Sequence, residues 1–262
     1  MKDRELRSRD DLSLFNGIWE GGYYEGNPLD PVGWSSYGTL GYMSVLNATY
    51  VACIKPYVTP SSCVLEIGPG RGAWTKTFVE LDAAEIWCLD ALSREYNHFD
   101  NYVGSHQALW YFQVSDFSCD RLPENHFDYL FSFGCFCHIS FAGIREYMTN
   151  LHAKLRNGAH GFIMVADYDK FNRAIQNESL RITRPVFAGK RNKALYWAYK
   201  LLNPGNKLWH IMSKAEDGSP RPGRWYHAGI IETCAMLQEL GYTVISPDVG
   251  TSLRDPIIHF VK

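Results

Sequence analysis

The sequence contains no apolar run approaching the ~20 residues that a membrane-spanning helix needs. Its first fifteen residues, MKDRELRSRDDLSLF, carry charges of both signs and hold no apolar core, so no secretory signal is expected. Net charge is nearly missing, at −2 over 262 residues. That excludes a protein that wraps nucleic acid with its whole surface. There is no internal repeat and no low-complexity tract, which excludes a solenoid. A regular cysteine framework is absent as well. The seven cysteines (Cys53, Cys63, Cys88, Cys119, Cys135, Cys137 and Cys234) are odd in number and irregular in spacing. They read as reduced thiols, and the expected location is the cytoplasm. The stretch SFGCFCHIS, Ser132 to Ser140, gathers two cysteines and a histidine. It has no second Cys/His pair at zinc spacing, the nearest candidates being Cys119 and His126 before it. Its C-x-C also lacks the two intervening residues of a thioredoxin-type redox motif.

What the chain does have is aromatic residues, at 15%, clustered from Trp19 to Tyr50 and from Phe187 to Tyr226 beside Gly and Pro. Such clusters suit the walls of a ligand cavity. Hydrophobic residues at 46% and charged residues at 21% describe an ordinary globular chain.

Residues 1–42 are rich in Gly, Pro, Asn and Ser and read as irregular. Leu46, Tyr50, Cys53 and Ile54 then recur at helical spacing until Pro60. From residue 63 to 168 short apolar runs alternate with amphipathic segments. CVLEIG (63–68), AEIWCLDA (84–91), LWYFQVSD (109–116), FDYLFSFG (127–134) and HGFIMVADY (160–168) predict five buried strands. AWTKTFVEL (73–81) and IREYMTNLHAKL (144–155) predict helices, the second ended by RNGA. GIIETCAMLQELG (229–241) predicts a last helix, and YTVISPDV and DPIIHFVK two final strands with no helix between them. The expected fold is therefore α/β, a doubly wound, seven-stranded, mostly parallel sheet ending in an antiparallel hairpin. Residues 170–226 break the alternation as an insertion. Within it no acid occurs from Leu180 to Ala215, while seven bases lie before Lys214.

VLEIGPGRG is the most informative segment. A buried strand runs into Gly68, Gly70 and Gly72, where the backbone can approach a ligand at a helix N-terminus. The G-x-G-x-G order differs from the G-x-G-x-x-G of dinucleotide binders, and Glu66 beside it would repel a pyrophosphate. Asp90 ends the second strand, where a carboxylate accepts ribose hydroxyls. Asp116 ends the third and is followed by Phe117, an acid and an aromatic that suit an adenine.

These segments together resemble the successive motifs of the class I S-adenosylmethionine-dependent methyltransferases, over about residues 43–168. The resemblance implies a seven-stranded Rossmann-like sheet with the cofactor, S-adenosylmethionine, across the strand C-terminal ends. It implies that Gly68, Gly70 and Gly72 pack the methionine part, that Asp90 with Ala91 holds the ribose, and that Asp116 and Phe117 hold the adenine. Glu66 would sit near the amino group, and Ser132 and Phe133 would line the methionine side. Residues 1–42 become an N-terminal lid that brings Tyr37 and Tyr42 to the cofactor and Trp34 to the substrate. Residues 43–262 become the methyltransferase domain, with 170–226 as an acceptor-binding cap.

Methyl transfer mainly needs alignment, and a hydroxyl acceptor also needs a base near the working pH. His138, placed at the start of the helix after the fourth strand, and Asp167, after the fifth, are similar to the pairing in rebeccamycin-type sugar O-methyltransferases. His227, in GRWYHAG, is a second candidate base. Tyr168, Trp225, Tyr226 and Arg184 are candidates for acceptor contact. The expected activity is methyl transfer to a hydroxyl of a sugar or glycan, and the expected partner a small-molecule acceptor, anionic or lipid-linked. The alternative is an amine, carboxylate, or phosphate or phosphonate oxygen. No nucleic-acid partner is expected, since no N/D-P-P-Y/F signature follows the fourth strand. Peripheral membrane contact and a dimer are both compatible with the sequence. No metal is expected, because the fourth strand ends in Ser132, Phe133 and Gly134 without a carboxylate.

Overall fold

The structure, a computed structural model, describes residues 26–31, 44–177 and 225–262. Seven strands form one sheet in the order β3-β2-β1-β4-β5-β7-β6. They are β1 Cys63–Ile67, β2 Glu85–Asp90, β3 Leu109–Gln113, β4 Phe127–Ser132, β5 Leu155–Met164, β6 Thr243–Ser246 and β7 Ile257–Val261. The first five are parallel, and β7 enters antiparallel between β5 and β6. This is the expected fold.

The sheet is central because its middle strands are apolar on both sides. All five residues of β1 are buried. Leu65, Ile67, Leu130 and Ile163 face one core, which also takes Ile144, Tyr147, Met148 and Leu151 of helix α4, Phe141–Lys154. Those four sit at i, i+3, i+4 and i+7, one stripe of a helix. Each contributes on the order of 1.5–3 kcal/mol by leaving water. Val64, Ile86, Tyr129 and Phe162 face the other core, under Phe78 of helix α2, Thr75–Glu80. That face is completed by Cys53 and Ile54 in a wide helical turn, Tyr50–Ile54, that continues helix α1, Val45–Thr49. The remaining helices are α3 Phe99–Val103, α5 Tyr168–Asn177 and α6 Ile230–Glu239. None of the described helices is long and apolar enough to cross a membrane.

Three local expectations change. RNGA does not terminate α4. It enters β5, and the β4–β5 register shifts between Phe127 and Tyr129 to accommodate it. Gly158 takes a positive φ there, and its amide donates to Lys262 O at the far edge. His138 does not begin α4 either. It ends a separate 3-10 turn, Phe136–His138, and Ser140 caps α4 by accepting from Gly143 N at 3.1 Å. Finally, the segment after β5 is helical at once, as α5. Of the expected insertion only 170–177, 225 and 226 fall among the described residues, and most of the lid, 1–25 and 32–42, lies outside them.

Candidate active site

The C-terminal ends of β1 to β5 converge on one rim. After β1, Gly68, Gly70 and Gly72 all take positive φ. Gly68 extends the ladder by donating to Leu89 O, and a Cβ there would stand 2.5 Å from Cys135 Cβ. The loops after β1 and β4 therefore touch where only a glycine fits. Gly72 is required for a different reason. A Cβ there would strike Val103 of α3 at 2.2 Å, so this glycine seats a helix. Glu66 is buried on the α2 side of the sheet and accepts from Thr75 Oγ1 at 2.6 Å and from Cys88 Sγ. A carboxylate inside a strand survives because those donors satisfy it.

Asp90 joins the glycine loop to the second strand. Its Oδ2 accepts from Gly70 N at 3.0 Å and its Oδ1 from Leu92 N at 2.8 Å. Burial pushes its carboxyl up to about 6, against the amides of Leu92 and Gly70 and the side chain of Asn97, which favour the anion. Ala91 follows with its carbonyl held by Gln113 Nε2. Beyond β3, Asp116 turns the chain by accepting from Ser118 N at 3.0 Å. It lines a cavity of about 200 Å³ together with Leu89, Gln113, Ser118, Arg121 and Leu122. Phe117 is not part of that lining. Its ring is fully buried and stacks on Tyr147 at 4.8 Å, so the expected aromatic platform is turned into the core.

After β4, Ser132 is buried and donates to Ile67 O, tying β4 to β1. Phe133 packs against Trp74 at 4.7 Å. The strap 225–229 then crosses the ends of β4 and β5. Tyr226 N donates to Cys137 O, and Ala228 N and Gly229 N both donate to Ala166 O. This brings Trp225, Tyr226 and His227 beside His138, Asp167 and Tyr168. Tyr168 lies 4.8 Å from the Trp225 ring and 4.9 Å from His227, and its hydroxyl donates to Trp225 O.

The three candidate catalytic groups differ sharply. Asp167 has both oxygens engaged, Oδ1 by Lys170 N at 2.6 Å and Oδ2 by Ile230 N at 2.8 Å. It caps α5 and holds the start of α6. His227 Nδ1 accepts from Tyr168 N at 3.0 Å, which places the proton of the neutral ring on Nε2. With its Nδ1 lone pair so engaged, that ring has its Nε2–H as a donor. Burial raises the Asp255 carboxyl above its ordinary value, and Arg254, Trp225 and, least, His138 act against that rise. Asp255 is fully buried and accepts from Trp225 Nε1 at 2.8 Å and from Arg254 Nε at 2.6 Å.

Asp255 had no signal in the sequence, since it lies in the loop before β7 and reaches the rim only because β7 pairs with β5. Arg121, Leu122 and Leu89 were likewise missed as cavity walls. Trp34, Tyr37, Tyr42 and Arg184 lie outside the described residues.

Residues 64–158 match a family model described as a methyltransferase domain. Among solved structures the chain is similar to an S-adenosylmethionine-dependent methyltransferase of Mesorhizobium loti, at 16% identity and a TM-score of 0.55, over 84% of this chain and 98% of that one. It is also similar to the 1,6-didemethyltoxoflavin-N1-methyltransferase of Burkholderia thailandensis, at 15% identity and a TM-score of 0.50, over 83% and 77%. No curated protein matches the chain. The family match thus spans β1 to β4, and the likeness to these solved structures is one of fold.

Proposed function

We propose that the chain methylates a hydroxyl oxygen of a sugar or other small acceptor, with His138 as the base. The observation that carries this reading is the placement of His138 on the strand-end rim, in the turn after β4 where the strap 225–229 crosses. The residues present fit S-adenosylmethionine. The Gly68 turn admits no side chain, Asp90 ends the second strand and is tied to the glycine loop through Gly70 N, and Asp116 lines a cavity together with Leu89 of that strand. In this reading Asp90 takes the ribose, Asp116 and the walls Leu89 and Leu122 take the adenine, and Gly68 and Gly70 the methionine part.

Bound cofactor supplies an activated methyl group. The chain's own work is to align the acceptor, exclude water and remove one proton. Trp225 and Tyr168 form an apolar wall against the acceptor. His227, fixed by the Tyr168 amide, presents its Nε2–H as a donor to an acceptor oxygen. The His138 imidazole takes the hydroxyl proton as the oxygen attacks, and Asp255 stabilises the resulting imidazolium. Asp167 positions the strap and makes no contact with the reacting atoms.

The test is turnover of labelled cofactor on a panel of sugars. His138→Gln is expected to lower kcat by about 10²–10⁴-fold with the cofactor Kd unchanged. Near-full turnover in that variant would sink the base role and point to an amine, carboxylate or phosphate oxygen, none of which needs a strong base.

A further inference from the structure

The opposite rim of the sheet carries a second group of reactive side chains. Cys63 begins β1 and Glu85 begins β2, and the two are register partners. His126 immediately precedes β4, the other neighbour of β1. His126 Nε2 stands 2.7 Å from Glu85 Oε2. One donor atom from each of Cys63, Glu85 and His126 lies within 4.8 Å of the other two. Trp87 Nε1 donates to the same Glu85 oxygen at 2.8 Å, and the rings of Trp87 and Phe127 flank His126. Beside the group, Asp128 accepts from Cys63 N at 3.0 Å and pairs with Arg156 at 3.4 Å.

We propose that Cys63, Glu85 and His126 form a zinc site with its fourth position open to water. A thiolate, a carboxylate and an imidazole are the donor set of a borderline-soft cation. Thiolate and carboxylate together neutralise a divalent ion, while Asp128 and Arg156 neutralise each other alongside. Tetrahedral bonds of about 2.0–2.3 Å set neighbouring donor atoms roughly 3.3–3.6 Å apart. The cluster reaches that spacing by parting His126 from Glu85 by about 0.6 Å and drawing the Cys63 thiol in by up to roughly 1.2 Å, both side-chain adjustments. The backbone need not move, because Cys63 and Glu85 begin adjacent strands locked by the ladder and His126 directly precedes the third. The Trp87 indole supplies the outer hydrogen bond that orients a ligating carboxylate. Without a cation, burial and the charges of Glu85 and Asp128 push the Cys63 thiol up, and Arg156 opposes them. A bound ion reverses that balance. The site would clip β1, β2 and β4 at their starts, at the far end of the strands from the cofactor, and stands apart from the methyl-transfer reading.

The full chain, stripped with EDTA, is titrated with zinc and separately with cobalt(II). One equivalent of each is expected to bind, zinc to raise the unfolding midpoint, and the cobalt form to show a thiolate charge-transfer band. Cys63→Ser is expected to abolish that band. His126→Gln is expected to weaken zinc binding by more than about 100-fold, beyond the cost of losing an outer-shell partner. No zinc uptake by the stripped wild type, or a cobalt–thiolate band that persists in Cys63→Ser, overturns the proposal. If Cys63→Ser does not fold, Glu85→Gln stands in with His126→Gln. Wild-type zinc affinity in both variants overturns it equally.

Discussion

At the C-terminal ends of the strands, Asp90, Asp116 and Asp167 direct their carboxylates at backbone amides. At the N-terminal ends, Glu85 and Asp128 meet mainly side chains, an imidazole, an indole and a guanidinium, with the Cys63 amide as a backbone donor to Asp128. The difference follows from chain direction. In a parallel sheet every strand C-terminus feeds a loop or helix start, where N–H groups lack partners and a carboxylate is the natural acceptor. Strand N-termini receive helix C-termini, where carbonyls are left over and cations belong. Lys262 Nζ accordingly donates to Leu155 O at 2.6 Å, just past the end of α4. One rim thus becomes a backbone-lined groove for a ligand, and the other a meeting of side chains.

Four tests sharpen or break that contrast. Gly72→Ala should have the largest effect, about 3 kcal/mol or more of lost stability by urea unfolding, because it adds a strained φ to an overpacked contact with Val103 and Phe99. Stability within experimental error of wild type would show that the groove rim yields more easily than its packing implies. Asp167→Ala should follow at about 2 kcal/mol, since two helix starts each lose an acceptor. Turnover per folded molecule should fall little, and a collapse of turnover in the folded fraction would return Asp167 to a direct chemical role.

The third concerns pH. Asp90 is held at about 6, above its ordinary 3.8, so its contribution to stability is complete below 3.8 and is lost as pH rises through 6. His259, paired with His160 at 3.0 Å and stacked on Phe162, is held down at about 4 by burial and then by His160. Its contribution is present above 6.5 and is lost as pH falls toward 4. Urea midpoints measured across this window should lose the decline on rising from 3.8 to 6 in Asp90→Asn and the decline on falling from 6.5 to 4 in His259→Gln. Identical profiles in all three proteins would refute both assignments. The smallest effect is expected from Arg156→Ala, at most about 1 kcal/mol, because its pair with Asp128 is partly exposed.

Much of the groove was legible in the order of residues. Unbroken apolar runs ending in Gly, Asp or Ser mark buried strands whose ends carry polar groups, and the glycines at 68, 70 and 72 announce a turn that approaches a ligand. Orientation was not legible. Phe117 reads as a platform beside Asp116 but turns inward, because Tyr147 on α4 offers a full stacking partner. His138 reads as a helix start, yet Ser140 outcompetes it as a cap. Helix α3 was passed over because its five residues, FDNYV, are too few to establish a period.

The sequence by itself determined the sheet, the strand order's parallel core and the glycine turn, because these rest on local periodicity and on conformations that few residues can adopt. Tertiary structure alone decided which side chains meet. Asp255 reaches His138's neighbourhood only through the antiparallel insertion of β7, and Cys63, Glu85 and His126 gather although 22 and 41 positions separate successive members. Contacts of that kind depend on strand register, and register is settled by packing across the whole sheet.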